Sequence, residues 1–167
     1  DVDMPRLGVG GHSRGGAGAI VAASIEPRIK ALVSSAAFAD PAALTKEYMR
    51  LNHIPVRPLF PLVRYFINRW IDTDMTDIAP KNRIRSVTVP ILLLHGEADR
   101  FISPINMDIL HSQSQQEYVR TQLISGGAHH STIIKDAEYA KHIVAFLNEH
   151  LDIETPTLLP AEDLVTA

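Results

Sequence analysis

The 167-residue chain has no cysteine, which excludes disulfides and thiol catalysis. No apolar run approaches the roughly 18 residues that a membrane-spanning helix needs, so no span is predicted. The 16 lysines and arginines do not outnumber the 19 aspartates and glutamates, and they form no basic run. A nucleic-acid partner is therefore not expected. Aromatic residues are few, 6% of the chain, and four of them lie between Phe60 and Trp70.

The remaining composition, 46% hydrophobic and 21% charged, is typical of one globular domain with a core. We assign this domain to residues 1–151 and interpret residues 152–167 as a tail, because they have little periodicity. The chain begins with Asp1 rather than Met, so we expect a processed product or a fragment. Composition leaves the compartment open; the cytoplasm is favoured because no signal peptide precedes the first strand.

Apolar runs typical of buried strands alternate with helical patterns along the chain. Strands are predicted over residues 6–11, 29–37, 87–95 and 118–124, and helices over 15–24, 41–52, 103–113 and 137–151. This alternation predicts an α/β fold with a mostly parallel sheet flanked by helices. Active sites in such sheets lie outside the carboxyl ends of the strands.

The segment of about residues 41–85 is predicted to be helical and lid-like. Apolar side chains recur at helical spacing within it. One interpretation is an amphipathic helix that packs on the core. The other is a lid or pocket wall, in which Phe60, Phe66 and Trp70, together with His12, contact an apolar part of a substrate.

A glycine-rich turn follows the first predicted strand. Residues 11–15, Gly-His-Ser-Arg-Gly, match the G-x-S-x-G nucleophile elbow, in which a strand turns sharply into a helix and exposes the central serine, Ser13. We expect the glycines at 11 and 15 to remove Cβ atoms that would clash. The following helix N-terminus would favour an oxyanion beside the hydroxyl. A plain glycine-rich turn is the alternative.

A carboxylate and two imidazoles follow later strands. Asp99 comes after the third strand, and His129 and His130 come after the fourth. A serine hydroxyl needs a base to take its proton, and a carboxylate orients and stabilises that base. Asp40 and Glu97 compete with Asp99, but helix capping already explains Asp40, and Glu97 is the weaker rival. His12 and His95, which flank strand ends, are interpreted as structural.

Three motifs in this order resemble the C-terminal half of an α/β-hydrolase. They are the elbow at 11–16, the run Pro-Ile-Leu-Leu-Leu-His-Gly-Glu-Ala-Asp at 90–99, and Gly-Ala-His-His at 127–130. The resemblance covers about residues 6–151 and is closest to bacterial esterases, serine-aminopeptidase-like members and dienelactone-hydrolase relatives.

The resemblance implies a role for each of these residues. Ser13 would be the nucleophile, Asp99 the acid and His130 the base, and the backbone N–H of Arg14 would donate to the oxyanion. His129 stays open as the base because it fits the same Gly-x-x-His spacing.

The resemblance also implies that N-terminal strands are lacking. The family's sheet has eight strands, and this chain would supply the last four, leaving an uncovered edge at residues 7–11. A missing N-terminal half or a partner chain would cover that edge and supply a second oxyanion donor. We therefore expect the 167-residue chain alone to be weakly active or inactive.

The expected activity is that of a serine hydrolase, which cleaves a small-molecule carboxylic ester or amide through an acyl-enzyme. Two alternatives stay open: a non-catalytic interaction module that kept the fold, and an acyltransferase or perhydrolase that uses the same residues. The resemblance disfavours haloalkane dehalogenation, because family members with that activity have an aspartate at the position of Ser13. No metal or organic cofactor is expected, since the histidines lack metal-ligand spacing.

Overall fold

A computed structural model describes residues 6–115, 117–127 and 137–152 of the chain. Within these residues four strands alternate with six helices. In chain order they are β1 (Gly8–His12), α1 (Arg14–Ile25), β2 (Ala31–Ser35), α2 (Pro41–Leu51), α3 (Val56–Ile71), α4 (Pro80–Arg83), β3 (Ile91–Gly96), α5 (Ile105–Gln113), β4 (Val119–Ile124) and α6 (Ala137–Leu151). A 3₁₀ turn, Ile84–Ser86, follows α4.

The four strands form one sheet in the order β1-β2-β3-β4, and every neighbouring pair is parallel. The predicted α/β class and the predicted parallel sheet are confirmed. The third strand is shorter than expected: it begins at Ile91, after Pro90, rather than at Val87. Proline has no N–H to donate to a neighbouring strand, which limits pairing at that position.

The core lies on both faces of the sheet, because successive side chains of each strand alternate between them. Leu32 and Leu93 face one side, where they pack with residues of α1 and α5 such as Ile20. Val33 and Leu92 face the other side and pack with α6, including Phe146. Helices therefore cover both faces, which explains why β2 and β3 are buried at every position.

Residues 41–85 connect β2 to β3 through α2, α3, α4 and the 3₁₀ turn. The predicted amphipathic helix is α3, and none of its residues is fully buried. The predicted packing of this helix on the core is therefore only partial. Among the described helices, none has both the length and the apolar character needed to cross a bilayer. The predicted tail lies outside the described residues from 153 onward.

Candidate active site

Ser13 occupies the sharp turn between β1 and α1. Its backbone has φ 57° and ψ −120°, a left-handed conformation that side chains rarely adopt and that costs roughly 1–3 kcal/mol. Two backbone hydrogen bonds hold it there. The Ser13 N–H donates to the Ser35 carbonyl at 2.8 Å, and the Ala17 N–H donates to the Ser13 carbonyl at 3.0 Å. The sheet and the helix thus fix the serine from opposite sides.

Two glycines allow this turn: Gly11, as the sequence predicted, and Gly16 in place of the predicted Gly15. A Cβ atom on Gly11 would lie 2.3 Å from the carbonyl carbon and oxygen of Gly15. A Cβ on Gly16 would lie 2.9 Å from the Ser35 carbonyl oxygen and 3.0 Å from that of Gly11. A Cβ on Gly15, however, would meet nothing within 4 Å. The expectation for Gly15 is wrong, because its Cβ would point away from the strand; Gly16 makes the close approach instead.

Arg14 is the first residue of α1 and so presents its N–H at the helix N-terminus, beside the serine. The helix dipole favours negative charge at this point. The Arg14 side chain borders an apolar cavity of about 460 Å³ that Phe38 and Ile78 also line. The N-terminus of α1 and an apolar cavity therefore adjoin the turn.

Asp99 follows β3, and its carboxylate is buried. Oδ1 accepts hydrogen bonds from the N–H groups of Phe101 and Ile102, both at 2.9 Å. Oδ2 lies 3.4 Å from Nε2 of His95. Because that same nitrogen donates to the Ile102 carbonyl at 2.9 Å, His95 braces the loop that holds the carboxylate. This contact agrees with the structural role predicted for His95.

Asp40 has the capping role that the sequence predicted. Its Oδ1 accepts from the N–H groups of Ala42 and Ala43 at 2.8 and 3.2 Å, and its Oδ2 accepts from Nζ of Lys81 at 2.7 Å. Burial works to raise the pKa of the Asp40 carboxyl, but the hydrogen bond from Lys81 and those from the helix outweigh it, so the pKa lies below its usual range.

Glu97, the other rival to Asp99, is exposed. Its Oε2 accepts a hydrogen bond from the Ser125 hydroxyl at 3.3 Å. Of the three carboxylates that the sequence offered, Asp99 is thus the one that is buried and held by backbone N–H groups at the end of a strand.

Parallel pairing brings the ends of three strands to one edge of the sheet. The Ser13 N–H bonds to the end of β2 at Ser35, and the Ala36 N–H donates to the Leu94 carbonyl in β3 at 2.8 Å. Ser13 and Asp99 therefore follow strands that end at the same edge, with β2 between them.

The segment after β4 also meets this edge. The carbonyl of Gly127 accepts from the N–H of Ala98, the residue before Asp99, at 3.0 Å. The predicted bases, His129 and His130, come two and three residues later in the sequence. Both lie outside the described residues. The chain that leads to them is thus anchored beside the Asp99 loop.

At the turn, His12 contacts a polar group whose other members, Ser35 and Tyr139, were missed by the sequence reasoning. Nδ1 of His12 lies 3.1 Å from the Ser35 hydroxyl, and the Ser35 side chain also hydrogen-bonds to Tyr139. Burial raises the pKa of the Tyr139 hydroxyl, although the hydrogen bond with Ser35 opposes the shift. The pair Ser34-Ser35 at the end of an otherwise apolar strand was the available signal, because a buried hydroxyl needs a partner.

The residues predicted to line a substrate pocket have different surroundings. His12 borders a cavity of about 380 Å³ between β1 and α6. Phe60 is half-buried, with Nζ of Lys46 4.5 Å from its ring centroid. Phe66 and Trp70 are 60% and 87% exposed. An enclosed pocket would cover such side chains, so their role as pocket residues stays a prediction.

Comparison of the whole fold with solved structures finds hydrolases of similar fold. The esterase domain from a Rhodothermus marinus protein has a TM-score of 0.63 at 19% identity, over 85% of this chain. The alpha/beta hydrolase GrgF from Penicillium sp. sh18 has a TM-score of 0.63 at 15% identity, over 91% of this chain. This chain has the α/β-hydrolase fold. A Mycobacterium tuberculosis puromycin-hydrolyzing peptidase shares the fold with a TM-score of 0.69 at 17% identity, over 92% of this chain.

The α/β-hydrolase neighbours are longer than this chain. This chain spans 59% of the Rhodothermus domain, 66% of GrgF and 23% of the mycobacterial peptidase. No protein-family model matches the sequence, and no curated protein matches it. The similarity therefore establishes the fold alone, over part of the length of each of these neighbours.

Proposed function

We propose that the protein is a serine hydrolase that cleaves a carboxylic ester or amide through an acyl-enzyme. The observation that carries the proposal is the conformation of Ser13, held at φ 57° between β1 and α1 at the edge of the sheet where the Asp99 loop also begins. Backbone strain of this kind persists where the surrounding structure fixes the conformation, and it is concentrated at functional sites.

In the proposed reaction the Ser13 Oγ attacks the carbonyl carbon of the substrate while an imidazole takes its proton. His130 is our candidate for the base, and His129 is the alternative. The imidazolium then protonates the leaving group, and water hydrolyses the acyl-enzyme by the reverse sequence. Because Oδ1 of Asp99 is occupied by two backbone N–H groups, we assign Oδ2 to the imidazole that orients toward it.

The Arg14 N–H is the proposed donor to the oxyanion of the tetrahedral intermediate. A second donor would come from chain outside these 167 residues or from a partner chain. The lengths of the solved neighbours support this, since each carries much more chain than is present here. Loss of one such donor costs about 10²–10³ in rate, so the chain alone is expected to be a slow enzyme.

The proposed substrate is a small molecule with an apolar acyl or alkyl group. The apolar cavity that begins at Arg14 supports this, because Arg14 directly follows Ser13 and the cavity is lined mainly by apolar residues of α1, together with Phe38 and Ile78. An esterase and a peptidase are both among the solved neighbours, so ester and amide remain joint candidates. Acyl transfer would use the same residues and a different acceptor.

A fluorophosphonate probe tests the proposal, because it reacts with an activated serine. We expect slow covalent labelling of the chain and none in Ser13→Ala, with Asp99→Asn strongly reduced. Ser112→Ala is the matched control, since Ser112 is an exposed helix serine that bonds to the Ile109 carbonyl. Comparing His129→Gln with His130→Gln identifies the base. Equal labelling of Ser13→Ala and the unaltered chain would refute the proposal.

A further inference from the structure

Ser35 is the last residue of β2, and it is completely buried. Its side chain lies on the face of the sheet that packs against α6, because Val33, two positions earlier, lies on that face. The other side chains there are apolar, among them Leu94 and Phe146. A buried hydroxyl in such surroundings is costly unless it is hydrogen-bonded. The hydrogen-bond partners of Ser35 are therefore the reason that a serine can occupy this position.

The Ser35 side chain has two polar partners. Nδ1 of His12, the residue before the proposed nucleophile Ser13, lies 3.1 Å from the Ser35 Oγ. Ser35 is also hydrogen-bonded to the hydroxyl of Tyr139, which lies in the first turn of α6 and is 8% exposed. A serine hydroxyl can donate one hydrogen bond and accept two, so Ser35 can serve both partners at once. We call His12, Ser35 and Tyr139 the hydroxyl row.

The main chain of Ser35 contacts the serine turn as well. Its carbonyl accepts the hydrogen bond from the Ser13 N–H at 2.8 Å. The next residue, Ala36, has φ 46°, so both Ser13 and Ala36 have positive φ at this edge of the sheet. Such a conformation is uncommon for residues other than glycine and persists only where the surrounding structure fixes it. Ser35 thus holds the turn twice, through its carbonyl at Ser13 and through its hydroxyl at His12.

We propose that Ser35 and Tyr139 are positioning residues that hold the Ser13 turn in its reactive conformation. This inference rests on the proposed function, because it takes Ser13 to be the nucleophile. Ser35 acts on the turn directly, and Tyr139 fixes the Ser35 hydroxyl from α6, the helix that follows the candidate bases in the sequence. A nucleophile that is already held in its attacking geometry reacts faster, because less freedom is lost at the transition state.

Apolar side chains at both positions would preserve the packing between the sheet and α6. They would leave the serine turn without its side-chain support, held by main-chain hydrogen bonds such as that from Ser13 to Ser35. The hydroxyl row is therefore expected to affect the rate of the reaction more than the binding of the substrate.

Tyr139→Phe tests the proposal, because it removes the hydroxyl and keeps the ring that packs in the core. We expect the rate constant for fluorophosphonate labelling of Ser13 at saturating probe to fall roughly 3- to 10-fold, the effect of one buried hydrogen bond. The probe concentration that gives half of the maximal rate should not change. Tyr118→Phe, which removes a hydroxyl from an exposed tyrosine, is the matched control and should label like the unaltered chain.

A double-variant cycle tests whether Ser35 and Tyr139 act as one unit. Ser35→Ala should lower the labelling rate constant at least as much as Tyr139→Phe does. Ser35→Ala/Tyr139→Phe should be no slower than Ser35→Ala, because the row is already broken. Effects that multiply in the double variant would mean that the two hydroxyls act independently, which would overturn the proposal. Urea unfolding of each variant ensures that rates are compared for folded chain.

Hydrogen exchange at the Ser13 amide tests the hydroxyl row without any reaction. We expect this amide, which donates to the Ser35 carbonyl, to exchange several-fold faster in Tyr139→Phe than in Tyr118→Phe, as followed by NMR. The amides of central strand β3, such as that of Leu93, should change less. If Tyr139 only stabilised the whole fold, the amides of β3 would gain as much exchange as Ser13 or more.

Unchanged exchange at Ser13 in Tyr139→Phe would overturn the proposal, and so would equal labelling rates for Tyr139→Phe and Tyr118→Phe. These failures differ from a failure of the proposed function. If the unaltered chain is folded and is not labelled at all, Ser13 is not an activated nucleophile, and the exchange comparison alone then decides whether the hydroxyl row holds the turn.

Discussion

Gly11 and Gly15 lie symmetrically about Ser13 in the sequence, yet their surroundings differ. A side chain on Gly11 would run into the backbone of α1, whereas one on Gly15 would enter open space. The close approach is made by backbone atoms, which cannot rotate away as the end of a flexible side chain could. The turn that holds Ser13 thus depends on one of these two glycines much more than on the other.

We expect Gly11→Ala to destabilise the protein by roughly 3 kcal/mol or more, because strand and helix must separate to admit the methyl group. Gly15→Ala should be neutral, or stabilising by up to about 1 kcal/mol, because alanine is favoured over glycine within a helix. Urea unfolding followed by circular dichroism measures both. Similar losses in the two variants would contradict the geometry of the turn.

At the scale of the element, helix α2 is capped by a residue that also makes a contact with a distant part of the chain. Asp40 caps the helix with one carboxylate oxygen and bonds to Lys81, next to the start of α4, with the other. The sequence Asp-Pro predicted the cap, because both residues favour a helix start. Lys81 is 41 positions away, so no local pattern could have indicated the ion pair.

We expect Asp40→Ala to lower the free energy of unfolding by about 1 kcal/mol at pH 7, and Asp40→Asn to lower it less, because an amide oxygen still caps the helix. The pKa of Asp40 is depressed in the folded state, so its contribution is present above the unfolded pKa. It is lost as the pH falls through the folded pKa.

The difference in the free energy of unfolding between the unaltered chain and Asp40→Asn should therefore shrink as the pH is lowered below about 4. Urea unfolding at a series of pH values measures it. Glu47→Gln, an exposed carboxylate on the same helix, is the control and should have little effect at any pH. A difference that stays constant down to the acid limit would show that the Asp40 charge contributes nothing.

At the scale of the whole molecule, the two outer strands of the described sheet differ. Strand β4 carries Arg120, which forms an ion pair with Glu149 of α6 at 3.0 Å. Strand β1, Gly-Val-Gly-Gly-His, carries no lysine, arginine or carboxylate and borders a cavity lined by α6. Charged side chains protect a strand edge from pairing with other chains, and β1 lacks this protection.

We expect the chain to self-associate through β1 as its concentration rises, and Gly10→Lys to weaken this association by placing a charge on the strand. The exposed Gly10 can accept a side chain, because its Cβ would lie 3.5 Å from the Val33 Cβ, an ordinary contact. Sedimentation velocity measures the effect. Thr121→Lys, which adds the same charge to β4, is the control. If it weakens self-association as much as Gly10→Lys does, β1 is not the strand through which the chains associate.

Much of the fold could be predicted because it is encoded over short distances. The order of strands and helices follows from apolar runs and helical spacing, and α6 was predicted with the bounds that the structure has. The elbow at Ser13 and the cap at Asp40 were predicted from residues a few positions apart. The roles of Ser13, Asp99 and His130 came from the family resemblance and stay a proposal.

By itself, then, the sequence determined the α/β class, the parallel sheet and the position of the serine turn, because strand and helix preferences and turn geometry are local. Only the tertiary structure decided which carboxylate is buried, that Gly16 rather than Gly15 lies against the strand, and that half the apolar face of α3 is uncovered. These features depend on residues that are far apart in the chain and meet only when the sheet has formed.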